Sequence, residues 1–226
     1  MPVQQTSTTP PRAAVRTFKA RRGRMSASQA DAIERLWPSL GVAVDGTPLD
    51  LPSLFGRTAP VALEIGFGMG EATVEMAAAQ PDHDVLAVDV HTPGVGTLLR
   101  TIEERGLGNV RVAEGDALVL LRDMLPSGTL DLVRVLFPDP WPKTRHHKRR
   151  LVTAAFCDLV AQRLRPGGRL HVATDWPEYA DQVREVLAGH PDLTLDDTAP
   201  WRARTRFEGQ GVDAGRPPVD ISATRR

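Results

Sequence analysis

Apolar positions along the chain switch repeatedly between a helical period and short continuous runs, and the switches divide it into alternating helices and strands. The pattern begins at SASQADAIERLW, where Ser26 and Gln29 have capping-box spacing and Ile33, Leu36 and Trp37 supply an apolar face. A helix is expected there, ended by Pro38. After a Gly/Pro-punctuated connection, VALEI (61–65) reads as a strand and EATVEMAAAQ (71–80) as a helix. VLAVDV (85–90) is the next strand, with a helix near Pro93–Arg105; NVRVAEG (109–115) follows, with a helix at Ala117–Met124. The strand LDLVRVLF (130–137), a helix across Leu151–Leu164, the strand GRLHVATD (168–175) and a helix over Glu178–Ala188 continue the alternation. LTLDD (193–197) reads as a last strand before an irregular C-terminus.

Strands alternating with helical stretches of about ten residues imply βαβ units, hence an α/β fold with a doubly wound, mostly parallel sheet covered on both faces. Near-continuous apolar strands fit burial on both sides. In such sheets ligands bind beyond the carboxyl ends of the strands, near the point where the strand order reverses. Glu64–Gly70, Asp89, Asp116, Pro138–Lys143 and Thr174–Asp175 all fall at or just after strand ends. That coincidence across five strands carries more weight than any single motif.

Composition narrows the classes. The 226 residues, 41% apolar and 25% charged, suit one ordinary globular domain, expected over residues 26–226 behind a disordered basic tail at 1–25. Lys+Arg and Asp+Glu number 28 each, so the net charge is zero and only its distribution is informative. No acid occurs before Asp31, whereas Arg12, Arg16, Lys19, Arg21, Arg22 and Arg24 are basic; Lys143–Arg150 and Arg202, Arg204 and Arg206 make two more clusters. Such patches are either solvated surface or the footprint of a polyanion. Cys157 stands alone, which rules out an internal disulfide framework and a cysteine metal site. With no apolar signal region and no run of roughly 18 apolar residues, a cytoplasmic protein without membrane or metal is expected.

LEIGFGMGEAT places Gly66, Gly68 and Gly70 between a strand and a helix, where glycine lets backbone approach a nucleoside closely. Asp89, at the end of the second strand, is placed for ribose hydroxyls. A dinucleotide would set its pyrophosphate on the helix N-terminus and favour a small residue at 71. Position 71 is instead Glu, and Glu64 precedes the turn. Two carboxylates oppose a phosphate and attract a sulfonium and an ammonium, so the expected cofactor is S-adenosylmethionine. Asp116 could accept from an adenine amino group or cap the helix that follows.

The stretch LFPDPWPKTRHHKRR has three prolines between 138 and 142, which stiffen the loop and remove backbone donors. A stiff loop at the cofactor end of a sheet suits a methyl acceptor, because positioning is most of what methyl transfer needs. Asp139 can accept from the N–H groups of a base. Trp141 could stack on that base or pack in the core, and Lys143 and the following cations could hold phosphates. Arg149 and Arg150 would fall in a first helical turn, where cations oppose the helix dipole and call for an anionic partner. His146 and His147 are RNA contacts or solvated, with too few ligands nearby for a metal.

At this point the chain resembles the bacterial tRNA (guanine-N7-)-methyltransferases of the class I S-adenosylmethionine fold. The resemblance rests on RRGRMSASQADAIERLWP, LEIGFGMGEAT, VDVHTPGVGTLL, GDALVLL, VRVLFPDPWPKTRHHKRRLV, HVATDW and TRFEGQG, in family order over nearly all of the chain beyond the tail. It implies a Rossmann-like, seven-stranded sheet with an N-terminal helical extension. It also implies cofactor contacts at Glu64, Asp89, Asp116 and Asp139, alongside Gly66 and Gly68, with Asp139 the catalytic residue. Lys143, Asp175, Thr205, Arg206, Phe207 and Glu208 carry tRNA-side roles by the same likeness, and the acceptor is a guanine in the tRNA variable loop. The enzyme is expected as a monomer or homodimer. Asp89 stands where the family usually has Glu, and the tail GQGVDAGRPPVDISATRR departs from the family's C-terminal pattern. A nicotinamide oxidoreductase is disfavoured by Glu71, and a non-catalytic RNA binder by the intact acids at the strand ends.

Overall fold

The computed structural model describes Thr17 and residues 23–226; the rest of the expected basic tail lies outside the described residues. Eight strands are present there: β1 (Gly41–Ala43), β2 (Val61–Ile65), β3 (Asp84–Asp89), β4 (Val110–Glu114), β5 (Leu130–Leu136), β6 (Leu164–Thr174), β7 (Leu193–Leu195) and β8 (Val219–Arg225). They form one sheet in the order β1-β4-β3-β2-β5-β6-β8-β7. Every pairing is parallel except those of β8 with β6 and β7. The seven-stranded doubly wound sheet is therefore present, with the short β1 added as an eighth strand on the β4 edge.

Alternate residues of the central strands feed two cores, as the pleat requires. Leu63, Ile65, Leu86, Val88, Val133 and Val135 pack with Phe156 and Val160 of α6 (Ala154–Arg163) and Tyr179 and Val183 of α7 (Pro177–Ala188). On the other face Val85, Ala87 and Val112 meet Val74 of α3 (Glu71–Ala79) and Val95, Leu98 and Leu99 of α4 (Thr92–Arg105). The N-terminal helix α1 (Ala27–Leu40) lays Ile33, Leu36 and Trp37 on that second core. Its capping box forms as expected, with Gln29 N–H donating to Ser26 Oγ and Ser26 N–H to Gln29 Oε1. Among the described residues no helix is long and apolar enough to cross a membrane.

Three local expectations change. Helix α1 runs through Pro38 to Leu40; so close to the helix end the ring costs few backbone bonds, and Gly41 N–H closes the helix on the Trp37 carbonyl. The helix expected over Ala117–Met124 keeps one turn, α5 (Ala117–Val119), and then widens into a π turn at Leu120–Met124. Arg163 donates to the Leu121 and Arg122 carbonyls at 2.5 and 2.9 Å, meeting acceptors that turn presents. The irregular C-terminus is in fact helix α8 (Arg206–Asp213) and strand β8. In β8 the polar positions hid the strand: Asp220 accepts from His171, while Ser222 and Thr224 donate to Asp196.

Arg202 ties this C-terminal segment down. Its guanidinium donates to Asp220 at 2.6 and 3.0 Å and to Glu208 at 2.5 Å, and it lies 5.3 Å from the centre of the Phe137 ring. With a side chain only 8% exposed it is a structural cation, and the expected phosphate role passes from it. Burial pushes the Asp220 carboxyl up, but His171 and Arg202 outweigh this and hold it down at about 2. That contribution is therefore complete above the ordinary value of 3.8 and is lost as pH falls towards 2. Arg202→Ala leaves two half-buried carboxylates without their shared partner, and urea unfolding at pH 7 should show a loss of about 2–4 kcal/mol. A loss below about 0.5 kcal/mol would mean the network is ornamental.

Candidate active site

The chain leaves β2 towards β3 and β4 on one side, and β5 leads to β6 on the other, so the strand order reverses between the neighbours β2 and β5. A crevice opens there beyond the carboxyl ends. Gly66, Gly68 and Gly70 have φ of 81°, 64° and 86°, the left-handed region that favours glycine. A Cβ on Gly94, at the start of α4, would lie 1.9 Å from the Gly68 carbonyl oxygen, so loop and helix are in direct backbone contact. The Asp89 carboxylate is fixed against the loop by Gly68 N–H at 2.8 Å and His91 N–H at 3.0 Å.

Two adjoining cavities share the walls Gly66, Gly68, His91, Leu136 and Phe207. The first gathers Asp89, Asp116 and Asp139 with apolar Ile65 and Val88. Asp116 also caps α5 by accepting from Leu118 N–H at 2.9 Å, so its capping role is realised at the cavity wall. The second cavity gathers Glu64, Glu71, Thr205 and Arg206. Glu64 is 3% exposed, and its Oε2 is buried without a hydrogen-bond partner. Burial pushes its carboxyl up to about 7, against the pull of the Arg134 guanidinium and the Thr73 hydroxyl and with Asp89 adding to the rise. An unsatisfied buried carboxylate at a cavity wall fits a cationic donor, and the ammonium of S-adenosylmethionine is one.

The proline loop stands over the first cavity. Phe137 and Trp141 at its two ends both have positive φ, 52° and 46°, which is costly for bulky side chains and persists only where surrounding contacts enforce it. Those contacts are identifiable. Trp141 is buried at 5% exposure, with Arg149 over its face at 4.9 Å and the His146 ring edge-on at 5.9 Å. It therefore packs rather than offering a stacking face. Arg150 is also buried; it donates to the Pro140 carbonyl at 2.9 Å and to Gln182 at 2.6 Å and lies over Tyr179.

That arrangement corrects the reading of the basic run. Residues Thr144–Arg149 form a 3₁₀ turn, and α6 begins only at Ala154 behind the Thr153 cap. Arg149 and Arg150 thus occupy no first helical turn, and Arg150 braces the loop from inside. Lys143, Arg145 and Lys148 are the exposed cations of the run, with Lys143 outside both cavity linings.

The remaining candidates divide. Thr205, Arg206 and Phe207 line the second cavity, Thr205 also capping α8 by accepting from Glu208 N–H at 3.1 Å. Glu208 is paired with Arg202 and Asp175 with Arg216 at 2.9 Å, and neither lines the two cavities. Sequence reasoning missed Arg134, 1% exposed on β5 beside Glu64. The available signal was a lone cation inside the apolar run LDLVRVLF. Among the described residues no group of His, Cys, Asp or Glu could hold a metal ion.

Comparison with known proteins agrees in fold and chemistry. The family described as "Putative methyltransferase" matches residues 58–219. A tRNA (guanine-N(7)-)-methyltransferase of Streptomyces avermitilis is 57% identical over 89% of this chain and 72% of its own length. The one from Nitrosospira multiformis is 50% identical over 93% of this chain and 94% of its own. Among solved structures, the aminoglycoside resistance methyltransferase NpmB1 superposes with a TM-score of 0.56 at 16% identity, covering 78% of this chain and 92% of that one. TrmN from Thermus thermophilus gives 0.55 at 21%, covering 78% and 47%. At these identities the two structures bear on the fold alone.

Because its carboxyl is raised from 4.5 to about 7 in the folded protein, Glu64 binds a proton more readily there than in the unfolded chain. The associated stability is present below pH 4.5 and is lost as pH rises through 7, by about 3 kcal/mol in all. Thermal melts of the cofactor-free protein should therefore fall across that window. Glu64→Gln, fixed in the neutral form, should remove this component; identical slopes in the two proteins would contradict the burial-driven shift.

Proposed function

The chain belongs to the tRNA (guanine-N(7)-)-methyltransferase family, and we propose that its two adjoining cavities hold S-adenosylmethionine with the proline loop presenting the acceptor guanine. The activity is transfer of the cofactor's methyl group to N7 of a guanine in tRNA. The observation that carries the residue assignment is the convergence of Glu64, Asp89, Asp116 and Asp139 from four strand ends on that pair of cavities. In this reading Glu64 accepts from the cofactor's ammonium and Asp89 from the ribose hydroxyls. Asp116 accepts from the adenine amino group, and Gly66 and Gly68 leave room for the nucleoside to approach the backbone.

S-adenosylmethionine supplies an electrophilic methyl on a sulfonium. Guanine N7 carries a lone pair and no proton, so its attack calls for no general base, and the ring gains positive charge as the bond forms. In this reading Asp139, on the wall of the first cavity, holds the guanine through its N–H groups and favours that charge electrostatically. Asp175 has an orienting role from the tRNA side, which requires it to exchange or share its Arg216 partner. The stiff loop supplies geometry: its strain is held by Arg150 and Trp141, so the acceptor meets a prepared surface.

The tRNA grip falls to the exposed cations. Lys143, Arg145 and Lys148 are exposed after the loop, and Thr205, Arg206 and Phe207 wall the second cavity, with Glu208 held behind them by Arg202. Phosphate contacts of this kind position the RNA, while an unpaired guanine in the variable loop offers its N7 without duplex opening. The working form in this reading is a monomer or a homodimer. A tRNA substrate favours the cytoplasm as the place of work.

The test is methyl transfer from labelled cofactor to unmodified tRNA with nucleoside analysis. N7-methylguanosine is expected as the product, reduced about 10²-fold or more by Asp139→Ala. Rate constants should show no neutral-pH ionisation that vanishes in Asp139→Asn; finding one would assign that carboxylate a proton-transfer role and defeat this mechanism. Lys143→Ala and Lys148→Ala should each weaken tRNA binding and reduce its salt slope by about one, whereas a flat salt dependence would remove the phosphate grip.

A further inference from the structure

Glu64 and Arg134 are register partners on β2 and β5, the two strands between which the sheet's order reverses. Both are buried, at 3% and 1% exposure, on the face covered by α3. Arg134 Nη2 donates to Gln80 Oε1 at 3.0 Å just past the end of α3, whereas its Nε and Nη1 and the Glu64 Oε2 are buried with no partner. The two charges therefore face each other across one strand spacing without a direct hydrogen bond. A structural ion pair would satisfy those atoms against each other, because burial makes an unpaired donor or carboxylate expensive. Here Glu64 lines the second cavity, whereas Arg134 lines neither cavity.

We propose that Arg134 is a positioning residue for the cofactor: from β5 it holds Glu64 as a carboxylate for the ammonium of S-adenosylmethionine, so that binding of the cofactor's amino-acid portion is tied to loss of the Glu64 proton. The proposal rests on the reading of Glu64 as the ammonium's partner. Without a cation behind it, a carboxyl this deeply buried stays protonated and offers the ammonium only a neutral acceptor. The other charges facing the pair are Asp89 at the end of β3, Glu71 at the start of α3, His91 before α4, Arg206 on α8, and His171, the register partner of Arg134 on β6. Asp89 and Glu71 oppose ionisation of Glu64, and His171 is engaged by Asp220 at 2.8 Å. Arg134 is the buried cation placed to counter them.

The probes are S-adenosylhomocysteine, which keeps the amino-acid portion, and 5′-methylthioadenosine, which lacks it. Titration calorimetry between pH 6 and 8, in buffers of different ionisation enthalpy, reads affinity and proton release together. In the unaltered protein S-adenosylhomocysteine should release a fraction of a proton near pH 7, and methylthioadenosine none. With Glu64 raised one further unit from about 7, Arg134→Met should bind S-adenosylhomocysteine about fivefold more weakly at pH 7 and about tenfold more weakly towards pH 6, with greater proton release and a deficit that narrows towards pH 8. Its affinity for methylthioadenosine should be unchanged. Equal or tighter binding of S-adenosylhomocysteine by Arg134→Met, with unchanged proton release, overturns the proposal, since direct repulsion of the ammonium would then outweigh any service to Glu64.

Should Arg134→Met lose methylthioadenosine as well, Arg134→Lys becomes the deciding variant. Near-original binding there supports a charge role, and a loss matching Glu64→Gln refutes it. The underlying reading has its own control: if Glu64→Gln leaves the preference for S-adenosylhomocysteine over methylthioadenosine intact, Glu64 is not the ammonium's partner, whatever Arg134 does.

Discussion

Burying a carboxylate at the end of β2 is the constraint on which the site depends. Glu64 is enclosed by strands and by α3, where an unpaired charge is costly, and the protein neither removes the group nor satisfies it internally. Holding it there requires a neighbouring strand that can carry a compensating charge, and only the pairing of β2 with β5 brings Arg134 into register. That pairing is also the reversal of strand order that opens the crevice. The electrostatic demand and the topology thus meet at one pair of residues, at the wall of the second cavity.

The proline loop is built on a different principle. Positive φ at Phe137 and Trp141 makes the proline loop conformationally expensive, so its shape has to be imposed from outside. Arg150 does this from below through the Pro140 carbonyl, and Arg149 and His146 enclose Trp141. Arg202 lies over Phe137 and joins it to Glu208 and Asp220, so the C-terminal segment and the loop share one brace. Asp139 stands between the two positive-φ residues. Its position is fixed by contacts made several residues away in both directions, which is the kind of preorganisation that methyl transfer without a proton step can exploit.

Much of this was legible in the sequence, and the failures have physical causes. The alternation of runs such as VALEI and VLAVDV with helical stretches gives the parallel core because both faces of those strands are buried. The acids at the strand ends were visible because polar residues interrupt apolar runs there. Strand β8 was hidden because Asp220, Ser222 and Thr224 look solvent-seeking in isolation, whereas each finds a partner across the sheet. Trp141 left two readings open, since an indole's environment is set by Arg149 and His146 folding back through a 3₁₀ turn that local propensity does not announce. The burial of Arg134 was signalled by its apolar flanks, but its partner lies about seventy positions earlier, and register alone brings the two together.

The arginines show most clearly why charge counted along a chain misleads about partners. Arg134, Arg150, Arg163 and Arg202 are each buried or nearly so and are spent on carbonyls, amides and carboxylates of the chain itself. Two of them fall inside clusters that a linear reading assigns to RNA. What remains exposed from those clusters is a smaller set, Lys143, Arg145 and Lys148 after the proline loop, Arg204 and Arg206 near α8, and Arg24 ahead of α1. A guanidinium's several donors in fixed geometry suit the interior work, whereas an ammonium on a flexible stem suits a phosphate whose exact place varies. The division follows from that difference: buried arginines set the shape of the proline loop and the charge beside Glu64, and the cations left exposed are those free to meet phosphates.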